Sequence, residues 1–345
     1  MDEIYRGSRK NLIDMFYYFK NNDLTVYGLN KINNVVKYSY VSSVENLLDY
    51  WNSNVSRIPD NSVKNILFPS NQLMYIIDTS FNIKHCFNGS DTVLFPIKPC
   101  DLNAILILDK LLDRDPYYKE RRSRVKYIVV EECTSKFSNC FCGSIETGPM
   151  VQSNYDLAYA FIENIVVFKP GSVRGYEIIN KLDLSRADSE LISKYNYIIN
   201  RIRCETNFFN PIVLKEFFDK EMGNENIWIK YSSKCIGCGN CNAVCPTCFC
   251  TEIQDVIVEK EVYRFRKWIG CLLYLYGLTA GFHYRRELYM RFRHFILHKF
   301  LFKPLKIGIT GCTGCGRCIA WCPLGVDFLN IYKEVVGKDA ERSGA

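Results

Sequence analysis

The chain has 345 residues, of which 48% are hydrophobic, so it is long and apolar enough to bury a core and is not a disordered chain. Its 44 basic and 37 acidic residues give a net charge of +7 without a block of like charge, which argues against a surface that binds nucleic acid. The 17 cysteines are odd in number and tightly grouped, which argues against a disulfide framework and indicates metal binding.

The first strong pattern begins after residue 90, and residues 1–90 read as the start of an α/β region. The pattern predicts a strand over Thr92–Ile97, a helix over 101–112 capped by Asp101, and a second strand over 125–130. A strand, a helix and a strand in this order favour a parallel pair.

An apolar run over 164–170 is predicted to extend this sheet, and the polar segments over 177–203 read as exposed helices. Beyond residue 230 cysteines become denser and β-branched runs rarer, which predicts a helical domain folded around inorganic clusters instead of a large apolar core. The predicted organisation is an α/β domain with a small parallel or mixed sheet over 1–225, then an α-helical, ferredoxin-like dicluster domain over 226–345.

Two segments of the C-terminal third, 235–246 and 312–323, share the spacing Cys-x2-Cys-x2-Cys-x3-Cys-Pro. In bacterial ferredoxins with this spacing, the first three thiolates hold one 4Fe-4S cluster and the fourth holds the other. The crossed rule predicts one cluster bound by Cys235, Cys238, Cys241 and Cys322, and a second bound by Cys312, Cys315, Cys318 and Cys245.

The residues between these cysteines fit the same chemistry. Glycines allow the backbone to turn closely around a cluster and to direct amide N–H groups at its sulfurs. These glycines are Gly237, Gly239, Gly314 and Gly316. Structural zinc also uses Cys-x2-Cys pairs, but it does not require the three-residue step before Cys-Pro, which occurs here twice. We therefore predict two 4Fe-4S clusters, with zinc as the alternative.

A second group of cysteines lies near the predicted parallel pair. Cys100 falls at the turn from strand to helix and Cys133 at the end of the next strand, so parallel pairing brings both to the carboxyl edge of one sheet. Cys140 and Cys142 follow in the next loop. Four thiols at one edge predict a third 4Fe-4S cluster. The alternative is that they are buried cysteines that pack as small hydrophobes.

Three more cysteines are further candidate cluster ligands, namely Cys248, Cys250 and Cys271. A cluster at this place needs a fourth ligand, for which we consider His283 or a cysteine of the first domain. Two cysteines, Cys86 and Cys204, stand alone and are interpreted as structural.

Location is predicted from the N-terminal residues and from one uncharged stretch. Residues 1–6 include three charged side chains and lack the apolar segment of a secretory signal, so we expect reduced thiols in the cytoplasm. The uncharged stretch over 268–284 contains three glycines and falls short of the roughly 20 apolar residues of a spanning helix. We expect it to be a packed segment and not a membrane span.

The motifs together resemble the β subunit of cytosolic sulfhydrogenases, which are nickel-iron hydrogenases, and the dicluster iron-sulfur subunit of anaerobic sulfite reductase. The resemblance covers about residues 90–150 and 230–330. Besides both ferredoxin motifs it rests on PCDL at 99–102, LD at 108–109, DPYYKERR at 115–122, CFC at 140–142, CPTCFC at 245–250, RKW at 266–268, Cys271, RFR at 291–293 and HK at 298–299.

This resemblance implies an iron-sulfur electron-transfer subunit of a multi-subunit cytosolic oxidoreductase. Such a subunit relays electrons between a flavoprotein that handles a nicotinamide nucleotide and catalytic subunits that handle hydrogen, sulfite or sulfur. The sequence shows no Gly-x-Gly-x-x-Gly after a strand, no phosphate-binding loop and no His-Glu-x-x-His, so we recognise no catalytic site in it. We expect the chain to act in a hetero-oligomer, with the iron-sulfur subunit of sulfite reductase as the alternative to the hydrogenase.

A basic and aromatic segment over 284–303 leaves a distant alternative open, a cluster-stabilised nucleic-acid-binding protein. Its basic residues include Arg285, Arg286, Arg291, Arg293, His294, Lys299 and Lys303. We favour a segment that covers the clusters or docks an acidic partner. Arg317, between two cysteines of the second motif, is predicted to face that partner, with loops 140–142 and 314–317 at subunit contacts.

Overall fold

The computed structural model describes residues 3–53, 58–59, 61–87 and 89–343. Within them the strands are β1 (Tyr5–Gly7), β2 (Thr25–Ile32), β3 (Val35–Tyr40), β4 (Asn71–Ile77), β5 (Ile83–His85), β6 (Thr92–Ile97), β7 (Val125–Glu131), β8 (Leu157–Ile162), β9 (Ile165–Pro170), β10 (Ser185–Arg186), β11 (Thr251–Val258) and β12 (Glu261–Trp268).

The α-helices of the same residues are α1 (Arg9–Asn21), α2 (Val44–Trp51), α3 (Lys64–Leu67), α4 (Pro99–Leu111), α5 (Pro116–Ser123), α6 (Val173–Lys181), α7 (Ser189–Glu205), α8 (Pro211–Lys220), α9 (Glu225–Ser232), α10 (Asn240–Val244), α11 (Leu288–Leu297), α12 (Lys303–Ile307), α13 (Arg317–Ala320) and α14 (Phe328–Ser343). A 3₁₀ turn covers Cys142–Ile145, and a π-helical turn over His298–Phe302 joins α11 to α12.

The larger sheet has eight strands in the order β10-β1-β9-β8-β7-β6-β2-β3. Its centre is parallel, because β2 pairs with β6, β6 with β7, and β7 with β8 in the same direction. Antiparallel strands continue the sheet on both sides. All six residues of β6 are buried, as expected for a central strand that is covered on both faces. The predicted parallel pair and the mixed sheet are therefore present.

The helix after β6 begins earlier than the sequence predicted. It begins at Pro99 after the N-cap residue Lys98, because proline at the first helical position has a suitable φ angle and lacks only an N–H that would be unpaired. Asp101 is not the cap that we predicted. Its carboxylate is fully buried and contacts Arg317 and Tyr38 instead.

A second sheet was missed by the sequence analysis. It has four antiparallel strands in the order β11-β12-β4-β5. The hairpin of β11 and β12 lies in the region that we expected to be helical, and it turns at Glu259 and Lys260, which both have positive φ. Its partner β4 lies before the predicted boundary at 225. That boundary stays a prediction, and the two regions share this sheet.

The C-terminal helices enclose a larger apolar core than the sequence analysis expected. Aromatic residues from α8, α9, α11 and α14, among them Phe218, Trp228, Phe292 and Tyr332, pack in one buried cluster with Phe300 of the π-helical turn. Several of the motif cysteines pack against the same cluster. The candidate clusters therefore lie beside an aromatic core and do not replace it.

The uncharged stretch over 268–284 is not a helix. After β12 it forms successive turns with one bridge between Leu278 and His283. No helix within the described ranges has the length and apolar character that crossing a bilayer requires.

Candidate metal centres

The two ferredoxin motifs fold alike. In each, a glycine with positive φ precedes a short helix, with Gly239 before α10 and Gly316 before α13. The two short helices contact each other. This arrangement places the end of each motif beside the beginning of the other, as the crossed ligand rule requires.

Cysteines of both motifs meet in the first predicted set. Cys235, Cys238, Cys241 and Cys322 line a single cavity. Backbone N–H groups point at two of these sulfurs, from Gly237 to Cys235 at 3.4 Å and from Val326 to Cys322 at 3.2 Å. Four thiols around one cavity, with amide donors at the sulfurs, fit a 4Fe-4S cluster.

The second predicted set is buried more deeply. Cys245 of the first motif interacts electrostatically with Cys312, Cys315 and Cys318 of the second. Burial raises the pKa of the Cys312 thiol to about 12, and its sulfur accepts an N–H from Gly314 at 3.4 Å. A buried group of thiols fits a metal cluster because coordination deprotonates them.

The third predicted set also converges on one cavity. Cys100 at the start of α4, Cys133 after β7, and the loop residues Cys140 and Cys142 line it together. Burial raises the pKa of Cys133 to about 12 even though the Lys98 ammonium lies nearby. The convergence follows from the parallel pairing of β6 with β7, which brings the two strand ends to one edge.

The second and third sets share a wall. Cys315 of the second ferredoxin motif lines the cavity of the third set, and it packs against Cys100. The loops are also joined by hydrogen bonds, from the Phe141 N–H to the Gly314 carbonyl at 2.7 Å and from the Thr147 hydroxyl to the Thr313 carbonyl at 2.7 Å.

The prediction that Arg317 faces a partner protein is wrong. Its side chain is fully buried, pairs with Asp101 at 2.8 Å and donates to the Pro59 carbonyl at 2.9 Å. Residues 140–142 and 314–317 are all buried within this chain, so neither of the two loops is free to contact another protein as we predicted. No local sequence pattern indicates a partner 216 positions away.

The basic segment over 284–303 is partly an internal structure. Arg291 donates to the Leu272 carbonyl at 2.9 Å, and Lys299 and Lys303 are almost completely buried. Burial lowers the pKa of His294 to about 4, so this side chain is neutral at pH 7. These four basic residues are therefore not available to bind phosphates.

Three buried lysines surround the loop that follows the first motif. Lys299 places its ammonium 3.0 Å from the Cys245 sulfur and 3.6 Å from the Cys248 sulfur. Lys64 donates to the Cys248 carbonyl at 3.1 Å, and Lys303 donates to the Thr247 carbonyl at 2.8 Å. The sequence analysis did not identify this group, and the only hint was the HK pair at 298–299.

The remaining cysteines fall into two groups. Cys248, Cys250 and Cys271 lie close together, and the interaction with Cys271 lowers the pKa of the Cys250 thiol. The ring of His283 contacts the Tyr274 carbonyl at 2.6 Å and does not line their cavity. Cys86 and Cys204 lie outside the cavities described above, and Cys204 is exposed.

Among the residues that the structure describes, no three or more His, Cys, Asp or Glu side chains are gathered closely enough to bind a single metal ion between them. A cubane instead spreads its four thiolates around a body of several atoms. The relevant geometry is therefore a cavity lined by four thiols, which the first and third sets provide.

Comparison with known proteins agrees with this geometry. Residues 234–326 match the family model of a 4Fe-4S dicluster domain. Over 324 residues the chain is 31% identical to sulfhydrogenase 2 subunit beta of Pyrococcus furiosus, and the alignment covers 90% of this chain and 92% of the relative. The chain belongs to the sulfhydrogenase beta-subunit family. It is an iron-sulfur electron-transfer subunit of that family, and the dicluster match implies 4Fe-4S clusters.

Proposed function

We propose that the chain relays electrons through three 4Fe-4S clusters. They would connect a nicotinamide-linked flavoprotein subunit with a hydrogenase or sulfur-reducing catalytic core, as the membership of a sulfhydrogenase family suggests. The proposed ligands are Cys235, Cys238, Cys241 and Cys322 for the first cluster, Cys312, Cys315, Cys318 and Cys245 for the second, and Cys100, Cys133, Cys140 and Cys142 for the third.

One observation carries this proposal, the contact between successive sets. Cys315 belongs to the second set and lines the cavity of the third. Cys241 of the first set interacts electrostatically with both Cys245 and Cys318 of the second. The three sets therefore form a series with the second set in the middle, as an electron relay through a single chain needs.

The exposed end of this series supports docking of a partner protein. Cys238 is exposed, and it lies beside Ile236 and Leu324, which are 62% and 48% exposed. Isolated apolar residues at a surface are ordinary, but here they surround a candidate cluster ligand. We place one partner at this end, and the other near Phe137 at the cavity of the third set.

When bound, the clusters supply one-electron transfer. The chain itself provides groups that favour the reduced, more negative state. These groups are the N–H donors of Gly237, Gly314 and Val326, and the buried ammonium of Lys299. The thiol chemistry also supports a reducing compartment, so we propose the cytoplasm as the location.

Iron analysis of the anaerobically purified chain tests the cluster proposal. We expect at least about twelve irons per chain, at four per cubane. Cys140→Ser should remove about four of them and preserve the electron paramagnetic resonance signals of the ferredoxin pair. Cys204→Ser, at an exposed site on α7, is the control and should remove none. About eight irons or fewer in the wild-type chain would refute the proposal of three clusters.

Nucleotide oxidation tests the partner proposal. The intact complex should oxidise NADH or NADPH and reduce the clusters of this chain, whereas the isolated chain should do neither with a nucleotide alone. The proposal is wrong if the isolated chain oxidises the nucleotide at the rate of the complex, since the hydride-accepting site would then lie in this chain. A nickel-iron partner would indicate a hydrogenase, and a sirohaem partner the alternative sulfite reductase.

A further inference from the structure

Three cysteines outside the proposed relay converge beside it. One amide nitrogen, Nδ2 of Asn242, lies 3.2 Å from the Cys271 sulfur and 3.8 Å from the Cys248 sulfur. The thiols of Cys250 and Cys271 lie close enough together to interact electrostatically, and Cys271 interacts with Cys248 in the same way. The three sulfurs therefore form one compact group, although Cys271 comes from a turn far along the chain.

Two of these three cysteines lie at the wall of a cavity of about 300 Å³, whereas Cys271 is buried and does not line it. Cys248 and Cys250 line the cavity together with Lys64, Trp268 and the exposed ligand candidate Cys238. A water molecule in the liquid takes about 30 Å³, so the space is large enough for a small ligand and its solvent. Because Cys238 is reached by solvent, the cavity has an entry from outside.

The buried lysines provide positive charge at this place. Lys64, Lys299 and Lys303 are each less than 5% exposed, and each interacts electrostatically with Cys245 and Cys248. No ion pair of the described residues involves them. Buried charges are costly unless they are paired, so three ammonium groups around one loop require an anionic group there. Iron-sulfur clusters with their thiolates carry net negative charge.

The cavity does not offer a fourth protein ligand of the usual kind. Its lining residues in the described part of the chain include no carboxylate and no imidazole. The only further thiol is Cys238, which the ferredoxin motif assigns to the first set. His283 and the cysteines of the first domain, which the sequence analysis considered, are not among the lining residues.

We propose that Cys248, Cys250 and Cys271 hold a fourth 4Fe-4S cluster whose fourth iron faces this cavity and binds a small anionic soft-donor ligand of the cyanide or hydrosulfide class. Lys64 positions the anion, because it lines the cavity, lies 3.5 Å from the Trp268 ring centroid and has donors left after its bond to the Cys248 carbonyl. The inference rests on the proposed relay, since the site adjoins the first set through Cys238 and the second through Cys245.

Iron content tests the cluster. The anaerobically purified wild-type chain should contain about sixteen irons, and Cys248→Ser, Cys250→Ser and Cys271→Ser should each contain about twelve, with the signals of the other clusters intact. Cys86→Ser is the control. A wild-type content of about twelve that the three variants share refutes the fourth cluster and leaves the relay standing. A wild-type content of about eight or fewer refutes the three-cluster relay itself. A Cys250–Cys271 disulfide, found by anaerobic thiol counting, also refutes the fourth cluster.

Cyanide binding tests the open iron without changing a ligand. Cyanide added to the reduced wild-type chain should alter the electron paramagnetic resonance signal of one cluster only. Lys64→Met should retain the iron content and weaken cyanide binding about tenfold, because a charge-assisted contact is lost. Lys119→Met, at an exposed site, is the matched control and should bind cyanide like the wild type. The open iron is refuted if cyanide changes no signal, or if Lys64→Met and the wild type bind it equally.

Discussion

The Arg317 guanidinium joins the two predicted domains through a single buried ion pair. Asp101 belongs to α4, which follows the central strand β6, and Arg317 begins α13 inside the second ferredoxin motif. Tyr38 donates to the same Asp101 oxygen at 2.7 Å, so the carboxylate is held from two sides. Because neither charge reaches solvent, each depends on the other for compensation.

We predict that Arg317→Met destabilises the loaded protein by about 3–5 kcal/mol, since Asp101 becomes a buried charge without its partner. The measurement is the apparent midpoint of unfolding in urea under anaerobic conditions, with the loss of cluster absorbance as the signal of unfolding. Arg286→Met, at an exposed arginine, is the control and should change the midpoint little. The double variant Arg317→Met with Asp101→Leu should recover much of the loss. An unchanged midpoint for Arg317→Met would contradict the role of this pair.

At the scale of elements, the second ferredoxin loop is shaped to fit against the loop of the third set. Gly314 has φ +60°, and a Cβ atom built on it would lie 2.7 Å from the Cα atom of Cys142. Gly325 has a nearly identical φ of +63°, but a Cβ atom there would meet nothing within 4 Å. Alanine substitutions at the two glycines therefore separate the energetic cost of an unfavourable backbone conformation from the cost of a steric clash.

We predict that Gly314→Ala lowers the iron content by about four to eight atoms, because the new methyl group pushes the Cys140–Cys142 loop away from the second motif. Gly325→Ala imposes the same backbone strain, of about 1 kcal/mol, and should retain all its iron. Iron and acid-labile sulfide assays on both variants decide the matter. Equal iron content in the two variants would show that only the strain matters.

Sequence patterns predicted some elements better than others. β6 and β7 were found because central parallel strands are continuously apolar, and this pattern is local. The hairpin of β11 and β12 was missed because its turn, Glu259-Lys260, lacks the glycine or asparagine that usually marks positive φ. Most residues of β11 are exposed, so no buried stripe revealed it either.

At the scale of the whole molecule, the predicted boundary at 225 is crossed by two kinds of contact. The first is the four-stranded sheet, in which β12 pairs with β4. The second is a group of buried polar contacts at the same junction. Arg266 of β12 contacts Asp115, the N-cap of α5, and Gln72 of β4 at 2.6 Å. The two regions therefore share a sheet and a buried polar junction.

We predict that cutting the chain near this boundary leaves the parts together. A specific protease site inserted at Gly223, which is exposed and has open space around it, should be cleaved without loss of clusters. The two fragments should then co-elute in size-exclusion chromatography under anaerobic conditions, because the sheet and the buried ion pair still hold them. Uncleaved protein from the same preparation is the control. Fragments that separate with their clusters intact would instead establish two independent domains.

The candidate sites could be predicted where their cysteines are close together in the sequence and form a recognisable motif. The eight motif cysteines and the strand-end positions of Cys100 and Cys133 followed from such patterns. The shared wall at Cys315, the Arg317 pair and the three buried lysines depend on contacts between distant segments, which a single sequence does not reveal. The prediction that Arg317 is exposed was wrong for this reason.

The proposed crossed ligand sets would also make the two ferredoxin motifs a nested pair of cross-links. In these sets Cys235 and Cys322 would form the outer closure of a long chain loop, and Cys245 and Cys312 would form the inner one. Binding of the first cluster would include the entropic cost of closing the long loop between the two motifs. Binding of the second cluster would then order only short segments. We therefore expect maturation of the pair to be cooperative, with chains that carry one of the two clusters scarce during assembly.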